Sequence, residues 1–287
     1  MHLEQAIALY DAQQGRSRAF SGGMEHGVVC LSVLAWTLWQ LGYPEQALAK
    51  NQEALILAKE SSHAYSLGLA LQYSALVHQS RREVRRAQEL AEATMRLAHE
   101  HGFVQWIAGG MWIRGWALAE QGFIGEGIEQ LRQGMDTWRT IGTDLAKTHL
   151  LCRLAEAYGR GGKAAEGLRL LGDALEAVHQ NAEGYFEAEI YRLKGELLLQ
   201  QVAGREGDAE VCFRKALNVA RRQQAKSLEL RAAISLGRLW QQQGKRHEAR
   251  AMLEPIYGWF TEGFDTLDLQ EAKALIEALQ QCITHET

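Results

Sequence analysis

Small residues return along this chain at a fixed interval, and few folds can use such a pattern. Ala35, Ala75, Gly115, Ala155 and Gly195 are each 40 residues apart. A second series, Ala47, Ala87, Gly127 and Gly167, keeps the interval and continues as Ala209 and Ala249. A third runs Ala54, Thr94, Gly134, Ala174 and Ala216. The register slips once, by two residues, because Gly195 is followed by Gly237 and Gly167 by Ala209. The slip falls in LLLQQVAGREGD, a loop by composition. An insertion confined to a turn, with both flanking series intact, is what an array of repeats tolerates.

Each interval reads as two helices. In AKTHLLCRLAEAYGRGG, residues Leu150, Leu151, Leu154, Ala155 and Tyr158 recur at helical spacing. GRGGK breaks that helix, and AAEGLRLLGDALEAVHQ then places Leu168, Leu171, Ala174, Leu175 and Val178 on one face. Gly42, Gly122, Gly162 and Gly244 suit the cap between paired helices, and further turns are expected near Arg82 and Gly204. Sustained alternation is absent, so no strand is predicted. The chain has 28 glycines but two prolines, Pro44 and Pro255, which suits close helix contacts better than long loops. One helix pair cannot bury its apolar face alone, so pairs must stack. The prediction is an all-α, right-handed superhelical solenoid of antiparallel helix pairs, one domain over residues 1–287. Residues 1–15 would be the second helix of an incomplete repeat, 24–262 six helix pairs, and 266–283 a capping helix.

LAWTLWQLGYPEQALAKNQEAL, RGWALAEQGFIGEGIEQLRQGM and LGRLWQQQGKRHEARAML share one layout. A small residue is followed by a large one, a glycine turn, and small residues seven apart in the second helix. These stretches resemble the tetratricopeptide repeat (TPR). The proline that closes a family repeat is missing throughout, and the period of 40 exceeds the family's, about 34, implying longer helices. That form resembles the repeats of bacterial signal-transduction ATPases of the STAND class. HLEQAIALYD, LAWTLWQLGYPEQAL, RGWALAEQG and EAEIYRLKGELLLQQ resemble the C-terminal repeat region of bacterial proteins joining a class III nucleotide cyclase to an ATPase. No cyclase or ATPase signature lies within the chain. HLEQAIALYDAQQG aligns with second helices such as PEQALAKNQEALIL, so the chain is expected to begin inside a repeat, as part of a longer protein or as a truncated product.

A net charge of −4 argues against a binder that works by neutralising phosphates, so no nucleic-acid partner is expected. No apolar run is long enough to span a membrane, which needs about 18 residues or more. Cys30, Cys152, Cys212 and Cys282 form no CxxC pair and read as reduced cysteines of a cytoplasmic protein. GRGGKAAEG lacks the hydroxyl residue and preceding strand of a phosphate loop. HEHG, from His99 to Gly102, lacks the i, i+4 histidines of a zinc helix and suits a helix C-terminus. RREVRR, from Arg81 to Arg86, reads as a solvated basic face, with an acidic partner as the alternative. With no convergent catalytic set, metal set or cofactor motif, the chain is expected not to be an enzyme.

The resemblance directs attention to the first helix of each pair. The residue after the small position is turned by about 100°, so positions −3, +1 and +4 share a face turned away from the second helix. In the family that face lines the concave groove. Here it carries Ser32, Trp36 and Trp39, then Gln72, Leu76 and Gln79, then Trp112 and Trp116. Later repeats supply Cys152 and Glu156, Arg192 and Glu196, then Ile234, Arg238 and Gln241. Trp36, Trp39, Gln72, Gln79, Trp112, Trp116, Glu156, Arg192, Glu196 and Arg238 are therefore the candidate groove residues, although the tryptophans also suit ordinary packing. The expected function is a non-catalytic interaction module for a protein or peptide segment, including domains of a parent protein. The alternative is a sensor of a small, oligosaccharide-like ligand.

Overall fold

A computed structural model describes residues 25–142, 146–181, 184–201 and 204–281, so the helix expected over 1–15 lies outside the described residues. Among these, helices pair in order: α1 (His26–Leu41) with α2 (Pro44–Glu60), α3 (Ala64–Ser80) with α4 (Val84–His101), and α5 (Val104–Glu120) with α6 (Ile124–Thr140). Then come α7 (Lys147–Arg160) with α8 (Ala164–Asn181), α9 (Glu187–Gln201) with α10 (Glu206–Arg222), and α11 (Lys226–Gln242) with α12 (Arg246–Tyr257). Helix α13 (Leu267–Gln281) packs on both members of the last pair. No strand occurs among the described residues. The fold is all-α and TPR-like. The chain groups into two compact units, residues 1–39 with 43–143, and residues 40–42 with 144–287.

The turn inside each pair has one physical signature. Gly42, Arg82, Gly122, Gly162, Gly204 and Gly244 all have positive φ, between 63° and 95°. Glycine reaches that left-handed region at no steric cost and ends the helix. The second pair uses Arg82 there instead. The two-residue register slip falls between α9 and α10, beside Gly204.

First and second helices differ because their surroundings differ. In α5, Trp106, Ala108, Gly109, Gly110, Trp112, Ile113, Gly115, Trp116, Ala117 and Ala119 are all buried. In α6 only the stripe Gly127, Leu131 and Gly134 is buried. A first helix touches its own second helix, the preceding second helix and neighbouring first helices, as α5 does with α6, α4 and α3. It is therefore apolar almost all round, while a second helix needs a single stripe.

The small-residue series marks where paired backbones meet. A Cβ on Gly127 would sit 2.6 Å from the Gly115 carbonyl oxygen, and one on Gly115 would sit 2.8 Å from the Leu131 nitrogen. Gly127→Ala gains about 1 kcal/mol of helix propensity. Overpacking against fixed backbone costs about 1–3 kcal/mol, so the balance is net destabilisation. The urea midpoint should fall; a rise would mean that α5 and α6 can separate freely.

Candidate interaction face

Two first helices of the first unit, α3 and α5, close on one another through glycine. A Cβ on Gly68 of α3 would meet the Trp106 indole of α5 at 2.6 Å, and one on Gly109 of α5 would meet the Gln72 amide of α3 at 2.7 Å. The tryptophan and the carboxamide thus lie directly on neighbouring backbone. This contact corrects the expectation of an open aromatic wall. Trp112 and Trp116 are only 4% and 3% exposed, Trp39, Gln72 and Gln79 are also buried, and Trp36 is half-buried. These rings pack between helices rather than face solvent.

The same face holds neutral polar atoms that the chain leaves unbonded. Ser32 Oγ, Gln72 Oε1, both amide atoms of Gln79 and Trp116 Nε1 are buried without a hydrogen-bond partner. A buried polar group in that state costs about 1–3 kcal/mol. None of the residues at the inner stations of α1, α3 and α5 is ionisable: Ser32, Trp36, Trp39, Gln72, Leu76, Gln79, Trp112, Trp116 and Ala119.

In the second unit the equivalent face carries charge, and the charge is paired. Glu189 of α9, 1% exposed, is the hub. Arg192 binds both of its carboxylate oxygens at 2.8 Å. Arg153 of α7 and Arg231 of α11 approach the same carboxylate at 3.6 and 3.9 Å. Arg153 also binds Glu156 at 2.7 Å, Ser235 donates to Glu196 at 2.6 Å, and Arg231 binds Asp268 of α13 at 2.8 Å. Burial pushes the Glu189 carboxyl up, but the guanidiniums of Arg192, Arg231 and Arg153 outweigh it and hold the carboxyl well below the ordinary range. Burial lowers His149, and the positive charges of Arg153 and Arg231 add to the effect. Its ring stacks on Phe186 at 4.4 Å.

Of the four charged groove candidates, Glu156, Arg192 and Glu196 are therefore joined in one ion network. Arg238 stands apart, exposed and bonded to Glu271 at 2.9 Å. Arg192 and Arg238, both candidates for the groove, each already hold a carboxylate. Sequence reasoning missed the hub. His149, Glu189 and Arg231 occupy one station, six residues before the small position, where the first three repeats have Val29, Leu69 and Gly109. That change from apolar to ionisable at a single station was the available signal.

The remaining motifs are structural. GRGGK forms the turn between α7 and α8, with Gly162 at φ 71°. His99 and His101 lie in the last turn of α4, which Gly102 ends in left-handed conformation. The basic cluster is not wholly solvated: Arg81 is buried, donates to the Pro44 carbonyl at 3.2 Å and binds Glu83 at 2.6 Å. Among the described residues no group of three or more His, Cys, Asp or Glu is placed to hold a metal ion, and no helix is long and apolar enough to cross a membrane.

Helix pairs in this order make a TPR-type repeat fold, and comparison with solved structures agrees. The peptide-bound structure of NprR superposes with a TM-score of 0.65 at 12% identity, covering 96% of this chain and 77% of that one. The apo form of RapI gives 0.62 at 13% identity, covering 96% and 93%. A STAND protein with a tetratricopeptide repeat sensor, PH0952 from Pyrococcus horikoshii, gives 0.50 at 12% identity, covering 98% of this chain and 41% of that one. At such identities the likeness concerns the fold. No protein-family model matches the sequence, and no curated protein matches it.

Proposed function

We propose that the chain is a non-catalytic interaction module that takes a protein or peptide segment along the inner stations of its first helices. The observation that carries this reading is the set of unbonded neutral groups on the first unit, with Gln79 foremost. A carboxamide offers the same donor and acceptor as a peptide group, so a peptide can satisfy both. The fold-level neighbours lend support, since NprR was captured with its cognate peptide NprX and the PH0952 repeats are described as a sensor. In the finer form of this reading, the repeats act as one array at the C-terminal end of a larger bacterial signalling ATPase or cyclase in the cytoplasm. Its segment then comes from a partner or from another domain of that parent.

The test is selection of random dodecamers displayed on phage against the immobilised full chain, followed by fluorescence anisotropy with the synthetic peptides. Saturable micromolar binding is the expected result. A second reading, a sensor of a neutral small ligand, draws on the same unbonded groups, because sugar hydroxyls also match carboxamides, and on half-buried Trp36. Calorimetric titration with maltotriose separates the two: heat with the sugar and no peptide selected would replace the first reading by the second.

A further inference from the structure

We propose that His149 is a proton-operated latch of the second unit: neutral, it holds α7 against Phe186 and α9, and on taking a proton in mild acid it leaves that seat and lets the contact open. Such a latch operates whatever the chain binds.

The seat is built for a neutral ring. His149 is 2% exposed, and its imidazole stacks on the equally buried Phe186 with ring centres 4.4 Å apart. The Arg153 guanidinium lies 5.3 Å from the centre of the same Phe186 ring. Phe186 ends the short turn Gly184–Phe186, which leads directly into α9, so the stacked rings tie α7 to the start of α9. Packing does not call for an imidazole here, since the same station in the first three repeats holds Val29, Leu69 and Gly109.

A proton on that ring has nowhere to settle. The charged groups that act on it are Arg153 of its own helix, Glu189 of α9 and Arg231 of α11. Helix α8, also packed on α7, keeps Glu166, Arg169, Asp173, Glu176 and His179 exposed. Glu189 is therefore the anion an imidazolium would have to share. Its two oxygens already take Arg192 at 2.8 Å each, with Arg153 and Arg231 at 3.6 and 3.9 Å. A further cation would enter a network whose arginines and carboxylates already balance. Burial and that surplus charge both favour the neutral ring. In water an imidazolium escapes both costs, so protonation and departure from the seat go together.

In the open chain this ring takes a proton below about pH 6.5, the ordinary histidine value, whereas in its seat it refuses one until well below. Closure is thus fully favoured above that value and weakens up to about tenfold for each pH unit below it. The experiment compares the full chain with His149→Phe, which keeps an aromatic ring for Phe186 but cannot be protonated. Amide hydrogen exchange of residues 184–201, corrected for the intrinsic effect of pH on exchange, is followed by mass spectrometry down to about pH 5, above the range in which carboxylates titrate. Protection of this segment should fall more steeply in the parent than in the variant, by up to about tenfold per pH unit below about 6.5. His149→Gln, neutral and polar, replaces the phenylalanine variant if that one misfolds, and should show the same shallower profile. Parallel profiles in parent and variant, falling or level, overturn the proposal, as does a steeper fall in the variant. Histidine carbon-13 spectra of the parent alone give a second check. At least one of its ten histidines should stay neutral in the folded chain through this range; ten that all titrate near the ordinary value would overturn the proposal equally.

Discussion

Replacing Trp112 and Trp116 together by alanine is expected to unfold the first unit rather than to blunt a binding surface. Both rings lie in α5 and are almost wholly removed from water. Each truncation deletes buried contacts and leaves a cavity, at about 3–5 kcal/mol apiece. A domain of this size has about 5–15 kcal/mol in total, so the pair approaches the whole stability. Relief by collapse is limited, because α5 is already held at van der Waals contact. Gly115 meets the backbone of α6, and a Cβ on Gly110 would reach Met95 of α4 at 2.4 Å. Urea denaturation followed by far-ultraviolet circular dichroism tests this directly. Helical signal lost at much lower urea is the expected outcome. A double variant that keeps its midpoint would mean that the rings face solvent in solution, and the closed inner face would have to be abandoned.

The fold was largely legible in the sequence because its determinants are local and repeated. The recurring small residues mark close helix contacts, such as Gly115 with Gly127, and a left-handed residue at each hairpin turn marks each reversal. The candidate face was harder to read, for two physical reasons. Its stations were read as one face of successive first helices, but exposure depends on how closely neighbouring first helices approach. That approach is set by Gly68 and Gly109, which lie outside the 40-residue small series that drew attention. The sequence pattern placed Trp112 on the inner side without revealing that it is buried. Charge was misread for a related reason. Arg192 looked available because its partner Glu189 lies three residues earlier, on a station that is apolar in the first unit. Arg231 and Asp268 meet across 37 residues, and no local pattern announces such a pair.

The hub of that network should dominate the stability of the second unit. Four guanidiniums, of Arg153, Arg160, Arg192 and Arg231, face the four carboxylates of Glu156, Glu189, Glu196 and Asp268. Glu189 touches three of those arginines. Glu189→Gln preserves volume but leaves a buried positive charge uncompensated, at a cost of about 3–5 kcal/mol. The ordinary glutamate pKa is about 4.3, and in the folded chain Glu189 titrates well below it. A depressed carboxyl contributes stability that is fully present above the unfolded value and is lost as pH falls toward the folded one. The difference between parent and Glu189→Gln, read from urea midpoints, should therefore be constant from neutral pH down to about 5 and shrink below about 4.3. Added salt should change it little, because the ions are buried and poorly screened. An exposed pair such as Arg169 with Asp173 serves as the contrast, since its removal should cost at most about 1 kcal/mol. Equal midpoints for parent and Glu189→Gln at neutral pH would show that the hub carboxylate contributes nothing. A difference that grew on acidification would give the linkage the wrong sign.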